Sequence, residues 1–155
     1  MSEQIKLLQA EIGDNVAAIS AAYAKLHNVN QQAYDEDTCI LIAYHLHVVY
    51  GLFENLFTRI AANFGNHIDD STQWHTLLLK RMSLEIPDIR PAVISQNTYL
   101  MLDELRRFRH MFRNAYVLKF DPDRLRLVVR DALRLEMLYP DDIALFQTFL
   151  DSFAE

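Results

Sequence analysis

Residues 106 to 116 read RRFRHMFRNAY, four arginines and a histidine set among Phe, Met, Ala and Tyr. Guanidinium groups present planar pairs of N–H donors that match a phosphate or a carboxylate. Histidine is the side chain whose charge changes between about pH 5 and 8, so it can move protons near neutrality. Side by side, these types point to anion binding with proton transfer. The setting is unusual, because the chain carries a formal net charge of -6. Eight of its eleven arginines fall in residues 106 to 134, where 9 basic and 3 acidic residues give net +6. Residues 1 to 105 carry 6 basic and 13 acidic residues, net -7, and residues 135 to 155 carry 5 acidic residues and no basic one. The overall acidity argues against general coating of nucleic acid and leaves room for one local anion site. The plain alternative is a salt-bridged surface, with the arginines paired to Asp131, Glu136, Asp141 and Asp142.

Helical geometry sorts this stretch into faces. Met101, Leu105, Phe108, Phe112 and Ala115 step by four, three, four and three and predict the core side. Arg106, His110, Arg113 and Asn114 then project to the opposite side, with Arg109 and Tyr116 on the flanks. A solvated face usually mixes Glu with Lys, and here no acid lies between Glu104 and Asp121. That asymmetry favours a site.

Other chemistry-bearing residues form weaker groupings. His45 and His47 are two apart, so on a helix they diverge and cannot clamp one metal ion. His67 and His75 lack acidic or cysteine companions at ligand spacing. No metal and no cofactor is expected, and no Gly-rich phosphate loop is present. Trp74 and His75 could line a cleft or cap the core. Glu54, in an otherwise apolar helix, could pair with an arginine of the fourth helix, which is more often a structural arrangement than a catalytic one.

The elements that must position these residues are helices. Ile5, Leu8, Ile12, Val16, Ile19, Tyr23 and Leu26 mark one stripe, broken by HNVNQQ. A second helix is expected from about Asp37 to Phe64, stopped by Gly65 and Asn66. It is apolar nearly all round, with a narrow polar stripe at His47, Gly51, Glu54 and Thr58, so it should be the central helix or part of a subunit interface. A short helix spans about Gln73 to Leu84, followed by an ordered crossing, EIPDIRPAVIS, whose prolines disfavour helix. A fourth helix runs from about Ser95 to Leu118. Asp121 and Pro122 are N-cap and first helical position of the next one. A last helix after Pro140 buries Ile143, Phe146, Phe149 or Leu150, and Phe153. The expectation is an all-α up-and-down bundle of five to six helices, a single domain over residues 1–155.

Composition agrees with that class. The chain is 51% hydrophobic and 23% charged, and 3 Gly with 4 Pro are few for an all-β fold. Cys39 is the only cysteine, which fits a reducing compartment. The N-terminus lacks a signal-peptide pattern and the run CILIAY is too short to span a bilayer, so a cytoplasmic protein with no membrane role is expected.

Two segments, TQWHTLLLKRMSLEIPDIRPAVIS and LDELRRFRHMFRNAY, resemble the HepT-like branch of the HEPN superfamily. The likeness extends over about Asp35 to Leu125 and is most specific in the second segment. The family consists of small all-α proteins, commonly paired with a minimal nucleotidyltransferase (MNT) in prokaryotic toxin–antitoxin modules. Its motif is Arg, four residues, His, one residue, Tyr, with a polar residue after the Arg. In that register stand Arg109, His110 as the polar follower, Asn114 in place of His, and Tyr116. The resemblance implies a homodimer whose paired motifs share a cleft and a metal-independent endoribonuclease reaction in which the RNA 2′-hydroxyl attacks the adjacent phosphate. Arg109 would hold the phosphate, with Arg106 and Arg113 beside it, and Tyr116 would accept AMP from the nucleotidyltransferase. An amide cannot shuttle protons near pH 7, so Asn114 makes the motif degenerate. His110, one turn before it, is the candidate substitute. The competing readings are a catalytically inactive HEPN module binding RNA, a nucleotide or a partner protein, and a plain interaction bundle.

Overall fold

In a computed structural model, residues 2–64, 73–114 and 119–153 are described, and they form five α-helices with no strand among them. These are α1 (Ser2–Asn30), α2 (Glu36–Asn63), α3 (Trp74–Met82), α4 (Gln96–Arg113) and α5 (Pro122–Asp151). The expected all-α helical bundle is therefore the observed architecture.

Helix α2 is its centre. Cys39, Ile42, Leu46, Val49, Phe53, Leu56, Phe57 and Ile60 are buried, and α2 packs on each of the other four helices. It is long and apolar enough to cross a membrane by length and composition, yet half of its most apolar window is covered by the bundle. Side-chain bonds between helices fix the directions. Gln4 donates to Asn63 and Arg59 pairs with Glu11, so α1 and α2 are antiparallel. Tyr23 donates to the Ala132 carbonyl and Gln9 to Asp151, so α5 also runs against α1. Phe53 meets Tyr139 and Phe64 meets Phe149, which makes α2 and α5 parallel.

Local signals explain most boundaries. Asp35 caps α2 by accepting from Thr38 N, and Ser95 caps α4 in the same way from its own Thr98 N. Asp121 caps α5 with Pro122 at its start, as the sequence predicts. The crossing between α3 and α4 is ordered around buried Arg90, whose guanidinium donates to the carbonyls of Arg81, Leu84 and Pro91. Asp88 takes the tight turn there with a φ of 65°.

Three expectations change. The first helix does not stop at HNVN but continues to Asn30, because Leu26 is buried and Val29 is packed on the core. Pro140 does not begin a sixth helix; α5 passes through it. Its ring lies on the exposed side while Tyr139 and Ile143 are buried on either side, so packing across the site outweighs one missing backbone donor. Helix α3 ends at Met82 rather than Leu84, since the backbone N–H groups of Val93 and Ile94 occupy the Met82 carbonyl. The expected stop at Gly65 and Asn66 lies outside the described residues; α2 ends at Asn63 with Phe64 as its cap.

Candidate functional site

Helix α4 places the basic stretch against α2 and α3. Leu105 and Phe108 are buried and Met101 and Phe112 are packed on the core, as the spacing predicts, while Ala115 lies outside the described residues. The opposite edge forms a cleft of about 170 Å3 lined by Tyr50, His75, Thr76, Arg106, Arg109, His110 and Arg113. Arg106, Arg109, His110 and Arg113 are thus brought together in one concavity with Tyr50 of α2 and His75 and Thr76 of α3.

The arginines differ in their engagement. Arg109 is turned inward, its side chain 18% exposed, and Nη1 donates to Glu54 Oε1 at 2.5 Å. Its guanidinium carbon lies 5.8 Å from the centroid of the Tyr50 ring, a cation–π contact. Its Nε is buried without a hydrogen-bond partner. Nη2 lies beside Gly51, 3.9 Å from where a Cβ would be, an ordinary contact distance. Arg106 folds back onto Asp103 at 2.8 Å, and Arg107 reaches the other oxygen of Asp103 at 2.9 Å. Arg106 still lines the cleft on the side away from the core, with its side chain 20% exposed. His110 and Arg113 are exposed as predicted.

The alternative acid partners are mostly occupied elsewhere. Glu136 binds His27 at 2.7 Å and Asp142 accepts from Ser95 and Thr98 at the start of α4. Asp131 does face Arg130, at 3.4 Å. The acids that balance the motif arginines are Asp103 and Glu54, the second arriving from another helix.

Glu54 organises the inner wall. Its carboxylate is buried, 7% exposed, in α2, and its second oxygen lies 2.5 Å from His75 Nδ1 at the start of α3. One carboxylate therefore joins the guanidinium of α4 to the imidazole of α3. Since a carboxylate only accepts, Nδ1 carries the proton and Nε2 is the basic nitrogen. The pairing of Glu54 with an arginine of the fourth helix is legible in the sequence, because a buried acid demands a partner. The pairing with His75 is not, because nothing in the spacing places α3 over α2. Trp74 meets the His75 ring edge-on at 4.6 Å and fixes its plane.

Nearby groups are less suited to chemistry. His47 contacts Phe112 with ring centroids 5.1 Å apart, and burial, with Arg109 and Arg113, lowers its pKa and keeps it neutral. Its Nδ1 is buried without a partner, and the ring does not line the cleft. Burial first, and then the Glu54 charge, pushes the Tyr50 hydroxyl above its ordinary value, so it stays protonated. No group of three or more His, Cys, Asp or Glu among the described residues is arranged to hold a metal ion.

Asn114 is the C-cap of α4, one turn beyond His110, with Nδ2 donating to the His110 carbonyl at 2.7 Å. Helix α4 thus stops before the expected Leu118 end, and Tyr116 lies outside the described residues.

No curated protein and no solved structure matches the chain. A family model described as HepT-like protein matches residues 41–150, a span that takes in α3, α4 and nearly all of α2 and α5. With that match over most of its length, on an all-α bundle that presents Arg109 and its neighbours in one cleft, the chain belongs to the HepT-like, HEPN-type family.

Proposed function

We propose that this protein is the HEPN component of a prokaryotic toxin–antitoxin module and that it acts on RNA through the α4 cleft. The observation that carries this reading is the gathering of Arg106, Arg109, Arg113 and His110 in one concavity at the motif register. An RNA phosphate entering it meets two exposed donors, His110 and Arg113, and then the inward guanidinium of Arg109. In this reading two copies pair along α2 and α4 so that their clefts adjoin. An MNT-type nucleotidyltransferase encoded beside it adds AMP to Tyr116 and silences the site by charge and bulk. The setting is the cytoplasm.

Loss of Arg109 tests the reading. A charge-assisted hydrogen bond contributes about 1.5–3 kcal/mol, so Arg109→Ala should weaken binding of a fluorescent single-stranded oligoribonucleotide by roughly 10- to 100-fold. Because Arg109 also offsets Glu54, the exposed Arg113→Ala variant serves as a second probe and should weaken binding without loss of helical signal. Unchanged affinity in both would reduce the basic face to a salt-bridged surface.

The hydrogen bond that the Asn114 side-chain amide donates to the His110 carbonyl favours a second reading, a module that binds RNA without cutting it. Its mark is RNA affinity that depends on Arg109 with no cleavage product.

A further inference from the structure

Helix α3 brings to the cleft an imidazole that the motif does not include. We infer that His75 is the general base of this site, taking the place left by Asn114. The inference rests on the RNA-directed reading above and concerns the same cleft.

The arrangement is that of a base and its orienting acid. The base is a ring with one nitrogen tied to a buried carboxylate and its surface turned to the cleft. His75 Nδ1 is 2.5 Å from Glu54 Oε2, and Glu54 is held from the other side by Arg109 Nη1, also at 2.5 Å. Such a carboxylate selects the tautomer with the proton on Nδ1, leaves Nε2 as the acceptor, and stabilises the imidazolium once it forms. The ring is 39% exposed, so it is reachable, whereas Glu54 at 7% is not. The charged groups sharing the cleft are Arg106, Arg109, His110 and Arg113 from α4, with Tyr50 from α2 and Thr76 from α3. The guanidinium that would hold the phosphate and the imidazole that would take the proton thus sit on the two oxygens of one side chain. That fixes their spacing through a buried group rather than through solvent.

His110 is the weaker candidate. It is exposed, no acid is bonded to its ring among the described residues, and its backbone carbonyl is occupied by the α4 cap. His47 is excluded by geometry, since its ring packs at a tilt on Phe112 and does not line the cleft.

In the step assigned to His75, Nε2 takes the proton of an RNA 2′-hydroxyl as that oxygen forms a bond to the adjacent phosphorus. The bond from phosphorus to the 5′-oxygen breaks, and the leaving oxygen takes a proton from solvent water. The products are a 2′,3′-cyclic phosphate and a 5′-hydroxyl, and His75 returns its proton to solvent. No electron transfer and no metal is required by this balance.

The experiment uses the full chain, a labelled single-stranded oligoribonucleotide for cleavage in EDTA, and its 2′-O-methyl counterpart for binding. Wild type should cleave slowly. His75→Gln should lower the rate by about 10²-fold or more, the range for loss of general-base help, and leave 2′-O-methyl RNA affinity unchanged. In His75→Gly, added imidazole should restore part of the rate, which a structural role for the ring would not produce. His27→Gln, which removes the remote pair with Glu136, should cleave as wild type does. Full activity in His75→Gln, or wild-type binding with no cleavage, would overturn the assignment while Arg109-dependent binding preserved the RNA reading. A wild-type chain that neither binds nor cleaves would overturn both.

Discussion

Glu54 shows how one residue can couple fold to chemistry. A buried carboxylate without partners would cost several kcal/mol, and in α2 it meets a guanidinium from α4 and an imidazole from α3. The pair therefore docks three helices as well as shaping the cleft. Asn114 is the complementary case, a residue at the motif position whose amide serves the helix end. An imidazole there, one turn beyond His110, would add a proton donor for the leaving 5′-oxygen. Asn114→His is expected to raise metal-free RNA cleavage by about 10²-fold, at the low end of general-acid effects. Product quantification against wild type checks it, and adding Arg109→Ala should abolish the gain. At this scale Arg109, His110, Arg113 and the acid partner in Glu54 were legible from type and spacing. The inward turn of Arg109 and the contact of His75 with Glu54 were not, because both depend on which helices end up adjacent.

At the scale of elements, the segments read as helical in the sequence take in all five helices, and capping chemistry located the start of α5. Periodicity was less informative where packing overrides local preference, as when α5 continues through Pro140 because Tyr139 and Ile143 are both buried. Gly51 is a similar conflict in α2. A glycine inside a helix costs about 0.5–1 kcal/mol relative to alanine. Here the added Cβ would meet only Arg109 Nη2, at 3.9 Å, an ordinary contact. Gly51→Ala should therefore stabilise the protein by about that 0.5–1 kcal/mol, raising the melting temperature by a few degrees. Thermal unfolding followed by circular dichroism checks this. A lowered melting temperature would mean that the guanidinium uses the whole of that gap, and that its position is more tightly fixed than a 3.9 Å approach implies.

For the molecule as a whole, α2 is covered on most of its surface but not all. Leu41 and Tyr44 are 47% and 52% exposed, and Val48, Gly51 and Leu52 continue the same stripe, half-buried. This apolar band runs to the edge of the α4 cleft, where Gly51 adjoins Arg109. A two-fold pairing along it would cover the band and bring two clefts together. Multi-angle light scattering at micromolar concentration should give the mass of two 18.1 kDa chains, and Tyr44→Glu should shift it to one. A single-chain mass for the wild type would remove the shared cleft from the account. Composition pointed to such a surface through the excess apolar character of α2, but which part stays uncovered emerges only once α1, α3, α4 and α5 are in place.

The central claim is that an acidic protein holds an RNA phosphate in a local basic cleft built around Arg109. Its most direct test is the salt dependence of affinity for single-stranded RNA, measured by fluorescence anisotropy for wild type and Arg109→Ala. Each phosphate contact to a single strand contributes about 0.7 to the slope of log affinity against log salt. The account predicts binding that weakens as salt rises, with a shallower slope and lower affinity in Arg109→Ala. Equal slopes and equal affinities in the two proteins would contradict it.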